Sequence, residues 1–332
     1  MERKLASVRK IEEIKPIVGA DKICAYRVGG WWVVDGINKY KVGDLAVYFE
    51  IDSYLPIKPE YEFLRKSSYK KLVDGTEGFR LKTVRLRGQI SQGLLIPLTF
   101  NSNEGEDVTV QLNIVKYDPP VPVQISGDAK GVFPSFIPKT DEERIQNFIN
   151  DSMIDLKNQR VYITEKLDGT SYTVFVKNGE VGVCSRNFEL KDTEGNAHWS
   201  ATHAMDLVRK LTELGRNIAL QGELVGNNIQ GNPYKVNGSK VYFFTGYDID
   251  NGRRMQYDEL DRLIAQLGLN MVPVLEYSYI LPSENIVDSM LQYAEGKSVL
   301  NPLAEREGVV VRGLDAEFSF KAISNKFLLD ND

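Results

Sequence analysis

Glu165-Lys166-Leu167-Asp168-Gly169-Thr170, written EKLDGT, stands between two strand-like runs, VYIT (161–164) and SYTVFV (171–176). Asp-Gly between β-branched runs is a strong hairpin signal, and in a hairpin Lys166 would be an ordinary strand residue. The same stretch also sets an amine at a strand end, two residues before a tight turn, where it is a candidate covalent nucleophile. A hairpin would keep both runs in one sheet, whereas a nucleophile needs a site around it.

The 332 residues are 42% hydrophobic and 26% charged, an ordinary globular composition whose length predicts two domains. No apolar run approaches a membrane span, and the N-terminus MERKLASVRKIEE is too charged for a secretory leader. With only Cys24 and Cys184, no disulfide framework is expected and a cytoplasmic setting is. The two histidines, His198 and His203, exclude a histidine-rich metal site.

A net charge of −5 excludes a generic polyanion binder, yet the charge is uneven. Between positions 64 and 89 stand Arg65, Lys66, Lys70, Lys71, Arg80, Lys82, Arg85 and Arg87 against Asp74 and Glu77. That concentration fits either a footprint for nucleic acid or phosphate, or a solvated strand pair. Alternation puts Arg80 and Lys82 on one face and Arg85 and Arg87 on the other, unless a bulge near Thr83 gathers them.

Residues 1–112 read as short strands separated by Gly, Asp, Asn and Pro, the spacing of a small β-barrel of the OB type. Residues 113–138, with Pro119, Pro120, Pro122, Pro134 and Pro138, read as an extended linker. Thr140 and Glu143 then form a capping-box pattern before Ile145, Phe148, Ile149 and Met153, which predicts a helix. Lys139, Arg144 and Gln146 are its polar neighbours within reach of a ligand. From 139 to 332 strands (161–176, 180–186, 217–225, 240–249, 271–279, 307–312, 317–323) interleave with helices (200–215, 257–267, 284–295). The expected whole is α+β, a barrel followed by a domain of antiparallel sheets.

Five stretches of this second half share one oddity: EKLDGT, CSRN (184–187), LQGELVG (220–226), EREGVVVR (305–312) and FSFKAIS (318–324) each set charge in or at the end of an apolar strand. Burying an unpaired ion is costly, so Lys166, Arg186, Glu223, Glu307 and Lys321 read as charges offsetting one another around a polyanion and a metal. Such a set suits nucleotidyl transfer, in which a lysine amine attacks the α-phosphate of a nucleoside triphosphate and pyrophosphate leaves. Near its ordinary pKa almost every lysine is protonated at neutral pH, so the site is expected to depress Lys166 through Mg²⁺, Arg186 and Lys321.

In this order the five stretches resemble the motifs of the covalent nucleotidyltransferase superfamily of polynucleotide ligases and capping enzymes, over roughly 139–332. The resemblance makes Lys166 the adenylated nucleophile, with Glu165 contacting adenine and Arg186 on phosphate or ribose. Glu223 then lies near the ribose or the metal's waters, Glu307 is a metal-site acid and Lys321 binds the α-phosphate. FFTGYDI (243–249) looks like a further motif, in which Phe244 stacks on the base. Asp168, Glu223 and Glu307 are the implied holders of Mg²⁺ or Mn²⁺. Where several RNA ligases have a second lysine after Lys321, this chain has Ile323.

DNA ligases and capping guanylyltransferases carry an OB domain after the last motif, but here the chain ends at Asp332 and the barrel comes first. That order, with KTDEERIQ leading in and SFKAISNKFLL closing, is similar to the RNA ligase 5 family of Deinococcus- and Naegleria-type enzymes. The resemblance implies an ATP-dependent, Mg²⁺- or Mn²⁺-dependent RNA ligase with an ATP-grasp-like catalytic domain. It implies sealing of 3′-OH/5′-phosphate nicks in a duplex with RNA on the 3′-OH side, by a monomer away from membranes. It also brings Lys139, Arg144 and Gln146 near the triphosphate. The competing readings are a capping guanylyltransferase, a DNA ligase, or a non-catalytic OB-fold nucleic-acid-binding protein, which leaves the five charged stretches unexplained.

Overall fold

The computed structural model describes residues 3–72, 74–117, 128–149, 151–315 and 317–331. The first third is built from short antiparallel strands. Ala6–Lys10, Leu45–Phe49 and Leu94–Pro97 form one sheet, and Glu13–Pro16, Ile23–Val28 and Trp31–Gly36 a meander. Ser53–Pro56 and Glu77–Arg80 belong to a third sheet, and Thr83–Leu86 pairs with Gln89–Gln92 in a ribbon. Alternation sends Trp31 and Val33 inward and leaves Trp32 and Val34 half-buried. Two apolar clusters fill this unit, one around Tyr26, Trp31, Tyr48 and Leu95, the other around Val8, Phe49, Leu55 and Phe79. This is the small barrel that the strand spacing predicts.

No bulge gathers the four cations around Thr83. The strand Glu77–Arg80 and the ribbon strand Thr83–Leu86 lie in different sheets. Arg80 turns inward, 3.3 Å from Asp52 and over the Tyr117 ring, while Arg85 and Arg87 are exposed.

The second part has two sheets. In the eight-stranded one Thr170–Lys177 pairs with Glu180–Cys184 and Ile218–Gly226, which in turn pairs with Ser239–Asp248. The four-stranded one runs Val274–Ile280, Arg160–Lys166, Gly308–Gly313, Ser319–Ile323. Pairing is antiparallel apart from the parallel addition of Asn270–Met271 to the large sheet. Helices 257–266 and 207–213 cover the large sheet through Leu207, Leu211, Leu260 and Ile264, and helix 286–294 covers the small one through Ile286 and Met290.

EKLDGT is therefore not a hairpin. The strand ending at Lys166 pairs within the small sheet, and the strand starting at Thr170 pairs within the large one. Leu167, Asp168 and Gly169 form the crossover between them. Gly169 is needed there because a Cβ would sit 2.5 Å from the Leu224 carbonyl oxygen.

Two expected helices differ. The stretch 200–215 is two helices, Ala197–Ala204 and Leu207–Glu213, broken where Asp206 takes a left-handed φ of 55°. The helix expected from Thr140 to Met153 is reduced to a 3₁₀ turn, Ile145–Asn147, and the short helix Asp151–Leu156. Tertiary pairing overrides the capping pattern there: the Lys321 amide donates to the Glu143 carbonyl at 2.8 Å, drawing Glu143 and Arg144 alongside the strand Ser319–Ile323. Ile145 and Phe148 still pack against that sheet, so the apolar stripe reports burial without helicity.

The stretch expected as linker contributes strands at both ends. Val115–Lys116 joins the barrel and Ala129–Val132 the large sheet. The PPVPV segment lies outside the described residues.

Barrel and second part share a packed interface. Ile323, Phe327 and Leu328, just past Lys321, enter the barrel cluster of Trp31 and Tyr48. The Trp31 indole donates to Asn147 at 2.7 Å, and Asn147 donates to Glu50 at 3.0 Å. Gly30 admits the main chain of Gln146, whose carbonyl accepts from the Gly30 amide at 3.1 Å.

Candidate active site

The two sheets line a cavity of about 350 Å³. The strand end Thr164–Lys166 and the crossover supply its floor. Gln221, Glu223 and Phe244 reach it from the large sheet, and Glu307, Val310, Arg312 and Lys321 from or beside the small one. Register explains the convergence, because Lys166 lies opposite Gly308 and Lys321 opposite Val310. The sequence-predicted Lys139, Glu165, Lys166, Asp168, Arg186, Glu223, Phe244, Glu307 and Lys321 all line this one cavity.

Lys166 is its electrostatic centre. Its Nζ donates to Glu307 Oε1 at 2.5 Å. Burial pulls the lysine's pKa down, but Glu307, Glu223 and Asp168 outweigh that and hold it above the ordinary value. The expected depression called on Mg²⁺ as well, and of the two side chains it named neither offsets these carboxylates here. Arg186 is spent at the half-exposed rim on Asp141, at 2.8 Å and 2.9 Å. Lys321 is itself lowered to about 7, by burial first and then by Arg144, Lys166 and Arg3.

The carboxylates respond in the opposite direction. Burial, with the Glu307 charge, lifts Asp168 to about 7 despite Lys166. Glu223 rises to about 8 by burial, against Lys166, with Glu307 and Asp168 adding to the rise. Glu307 Oε2 is buried without a hydrogen-bond partner. One lysine charge thus faces three carboxyl groups, an excess of potential negative charge that suits a cation. Among the described residues, however, no three Asp, Glu, His or Cys side chains close tightly enough to enclose an ion alone.

Glu165, 1% exposed, accepts from the Val299 amide at 2.8 Å with Oε2, while its Oε1 is buried and unpartnered. Phe244 packs with Leu167, Val225 and Tyr234, and the Arg312 guanidinium lies 5.6 Å from its ring centre. Lys139 reaches Asn187 at the rim, 3.0 Å away. Arg144 and Gln146 do not line the cavity. Both are buried in the interface with the barrel, Arg144 3.5 Å from Asp52 and 3.7 Å from Glu50. Arg144 acts on the cavity through its charge beside Lys321.

Sequence reasoning missed Tyr234, whose hydroxyl accepts the Asp168 amide at 2.5 Å and braces the crossover. It missed Gln230, which donates to the Gly169 carbonyl, and the chain 140–142, where Glu142 pairs with Arg312 at 2.9 Å. Asn227-Asn228 and Gly231-Asn232-Pro233 mark a turn-rich loop next to LQGELVG, and that composition was the available signal.

Comparison with known proteins follows the same division. Residues 5–98 match an OB-fold domain model and residues 159–323 an RNA ligase model. Naegleria gruberi RNA ligase, solved with pyrophosphate, is 42% identical to this chain, with a TM-score of 0.91 over 98% of both chains. The chain belongs to the RNA ligase family. Variants of the same Naegleria ligase solved with AMP and Mn and with ATP and Mn give TM-scores of 0.92 and 0.91 at that identity and coverage. No curated protein matches significantly. This RNA ligase thus has the expected α+β architecture, an OB-fold barrel before a catalytic domain of mainly antiparallel sheets. Among its described residues, no helix is long and apolar enough to cross a membrane.

Proposed function

We propose that this RNA ligase uses ATP to seal 3′-OH/5′-phosphate nicks in a duplex with RNA on the 3′-OH side, through an AMP carried on Lys166. The observation that carries the reading is the Lys166 amine at a crossover between two sheets, 2.5 Å from Glu307 and in the field of Glu223 and Asp168. Its Nζ, once deprotonated, attacks the α-phosphorus of ATP. The N–P bond forms, the bond to the β-phosphate oxygen breaks, and pyrophosphate leaves. An oxygen of the 5′-phosphate then displaces Lys166 from the AMP, and the 3′-OH displaces AMP from the 5′-phosphate.

Lys321 sits where it takes up phosphate charge, and Phe244, Val310 and Glu165 form the walls that suit adenine. Arg186 and Lys139 meet the nucleotide at the rim. Asp168, Glu223 and Glu307 would hold Mg²⁺ or Mn²⁺ largely through its waters, in keeping with their spacing. Such a cation supplies positive charge that lowers the proton affinity of the amine and offsets phosphate charge. We assign the enzyme to the cytoplasm as a monomer, a setting that suits its two free buried cysteines.

The test is labelling with α-labelled ATP or GTP and Mn²⁺, followed by sealing of nicked duplexes that differ in the 3′-OH strand. The reading expects an ATP-specific adduct and sealing only where RNA bears the 3′-OH. A GTP adduct alone points to capping chemistry, and equal sealing of all-DNA nicks to a DNA ligase.

A further inference from the structure

The basic stretch of the barrel divides in the structure. Arg65 pairs with Glu62, Lys71 with Glu77 and Arg80 with Asp52. Arg85 and Arg87 are exposed on the ribbon Thr83–Leu86/Gln89–Gln92 and have no ion-pair partner among the described residues. Arg87 takes a left-handed φ of 50° at the ribbon's turn, beside Gly88.

This ribbon is a sheet separate from the meander and is held to it where the Val34 amide donates to Ser91 at 2.9 Å. The outward face of the meander presents Trp32, with Lys15 Nζ 5.9 Å and the Arg27 guanidinium 5.8 Å from its ring centre. Its inward neighbour Trp31 is 1% exposed in the core, so the half-buried Trp32 is the tryptophan of this pair open to a ligand. Trp32, Gly88, Gln89 and Ile90 line a groove of about 380 Å³. Helix 286–294 forms its far wall, with Asp288 and Gln292. Three carboxylates temper the site: Asp288 lines the far wall, Glu13 lies 3.7 Å from Arg27, and Glu295, also in the lining, is engaged by Ser324 and the Asn325 amide.

An indole with two cations over its ring, beside a ribbon that carries two more exposed arginines, is the chemistry that single-stranded or frayed nucleic acid requires. Bases stack on the ring, and the backbone follows the positive charges. We propose that the barrel face along this groove, with Trp32 at its edge as stacking platform and Lys15, Arg27, Arg85 and Arg87 outside the groove as phosphate contacts, holds an RNA segment of the substrate outside the nucleotide cavity. The inference rests on the ligase reading for its partner. None of these five residues lines the nucleotide cavity, so RNA grip and lysine adenylylation separate.

The test uses the full chain and a fluorescent nicked RNA duplex with a short single-stranded extension. Binding is read by anisotropy at several salt concentrations, beside labelling by α-labelled ATP. Trp32→Ala is expected to weaken binding roughly 5- to 150-fold, the range for losing one base–aromatic stack, with Trp32→Phe restoring most of it. Reversing both ribbon charges, Arg85→Glu with Arg87→Glu, is expected to flatten the salt dependence by roughly 0.7 to 0.9 per lost phosphate contact. That variant changes only exposed side chains and decides the matter if Trp32→Ala fails to fold. Lys66→Glu with Lys70→Glu, exposed elsewhere on the barrel, is expected to bind as wild type. Unchanged affinity and salt slope in the Trp32 and ribbon variants overturns the groove, as does equal weakening by the Lys66/Lys70 reversal. Absence of a labelled lysine in wild type would instead defeat the ligase reading, leaving the anisotropy to decide the groove.

Discussion

Two buried charge clusters lie within this molecule, and they are balanced in opposite ways. At the interface of barrel and catalytic domain, Asp52 and Glu50 are surrounded by Arg3, Arg80 and Arg144. Burial pushes Asp52 up, but Arg144, Arg3 and Arg80 together outweigh it and hold the carboxyl below its usual value. In the nucleotide cavity the same kinds of residue give the reverse, with Asp168 raised to about 7 and Glu223 to about 8 around Lys166. The difference is arithmetic of charge rather than depth. A cluster whose carboxylates are all met by cations is structure; one left with carboxyl groups in excess is a site for a cation that must arrive from solution.

The largest break of this contrast comes from Lys166→Ala, which removes the lysine the carboxylates share and the proposed nucleophile with it. ATP-dependent labelling is expected to vanish, a loss of at least about 10³-fold in line with removal of a covalent catalyst. Next comes Glu307→Gln. It should lower the rate of lysine adenylylation by about 10²–10³-fold, as for loss of one preorganised electrostatic contact, measured in single turnover with ATP and Mn²⁺. Asp52→Asn touches the balanced cluster. It is expected to cost about 1–3 kcal/mol in urea unfolding, reduced from the fully buried case by its partial exposure, with little change in metal dependence. Glu223→Gln should do the opposite, leaving metal-free stability unchanged or slightly raised while weakening the response to Mn²⁺.

Acidity sharpens the same contrast. Asp168 and Glu223 have folded pKa values above their unfolded ones, so they favour the metal-free fold at low pH. That contribution is lost as pH rises through about 7 and about 8. A cation competes with those protons, so the apparent Kd for Mn²⁺ should rise about tenfold or more from pH 8 to pH 6 in a calorimetric titration. Asp52, depressed, contributes stability above the ordinary carboxylate range and loses it only under acid. The smallest effect is expected for Arg186→Ala. Its half-exposed pair with Asp141 is worth little by itself, and a several-fold rise in the KM for ATP is the expected change.

Much of this was legible in the sequence because the site residues interrupt apolar strands. EKLDGT, LQGELVG and FSFKAIS announce themselves by charge where burial should forbid it, and the structure brings Lys166, Glu223 and Lys321 to one cavity. What local pattern could not show was pairing over long range. Thr140 and Glu143 have the side chains of a helix start, yet the Glu143 carbonyl goes to the Lys321 amide, nearly the length of the catalytic domain away. Nor could local pattern show that Arg144 and Gln146, expected near the triphosphate, also bind the barrel through Asp52, Glu50 and Gly30. Tyr234 was missed because its work is a hydrogen bond to a main-chain amide 66 residues away, and nothing in its own neighbourhood encodes that. Nor did the sequence reveal the sign of the Lys166 shift, which is set by burial against the combined pull of Glu307, Glu223 and Asp168.

The most direct test of the central claim is the intact mass of the purified chain after incubation with ATP and Mn²⁺, with the modified peptide then mapped. The account predicts the addition of one AMP, carried by the peptide that contains Lys166, removed by added pyrophosphate and absent from Lys166→Ala. An AMP found on any other residue, or folded protein that binds ATP and Mn²⁺ yet gains no mass, would contradict it.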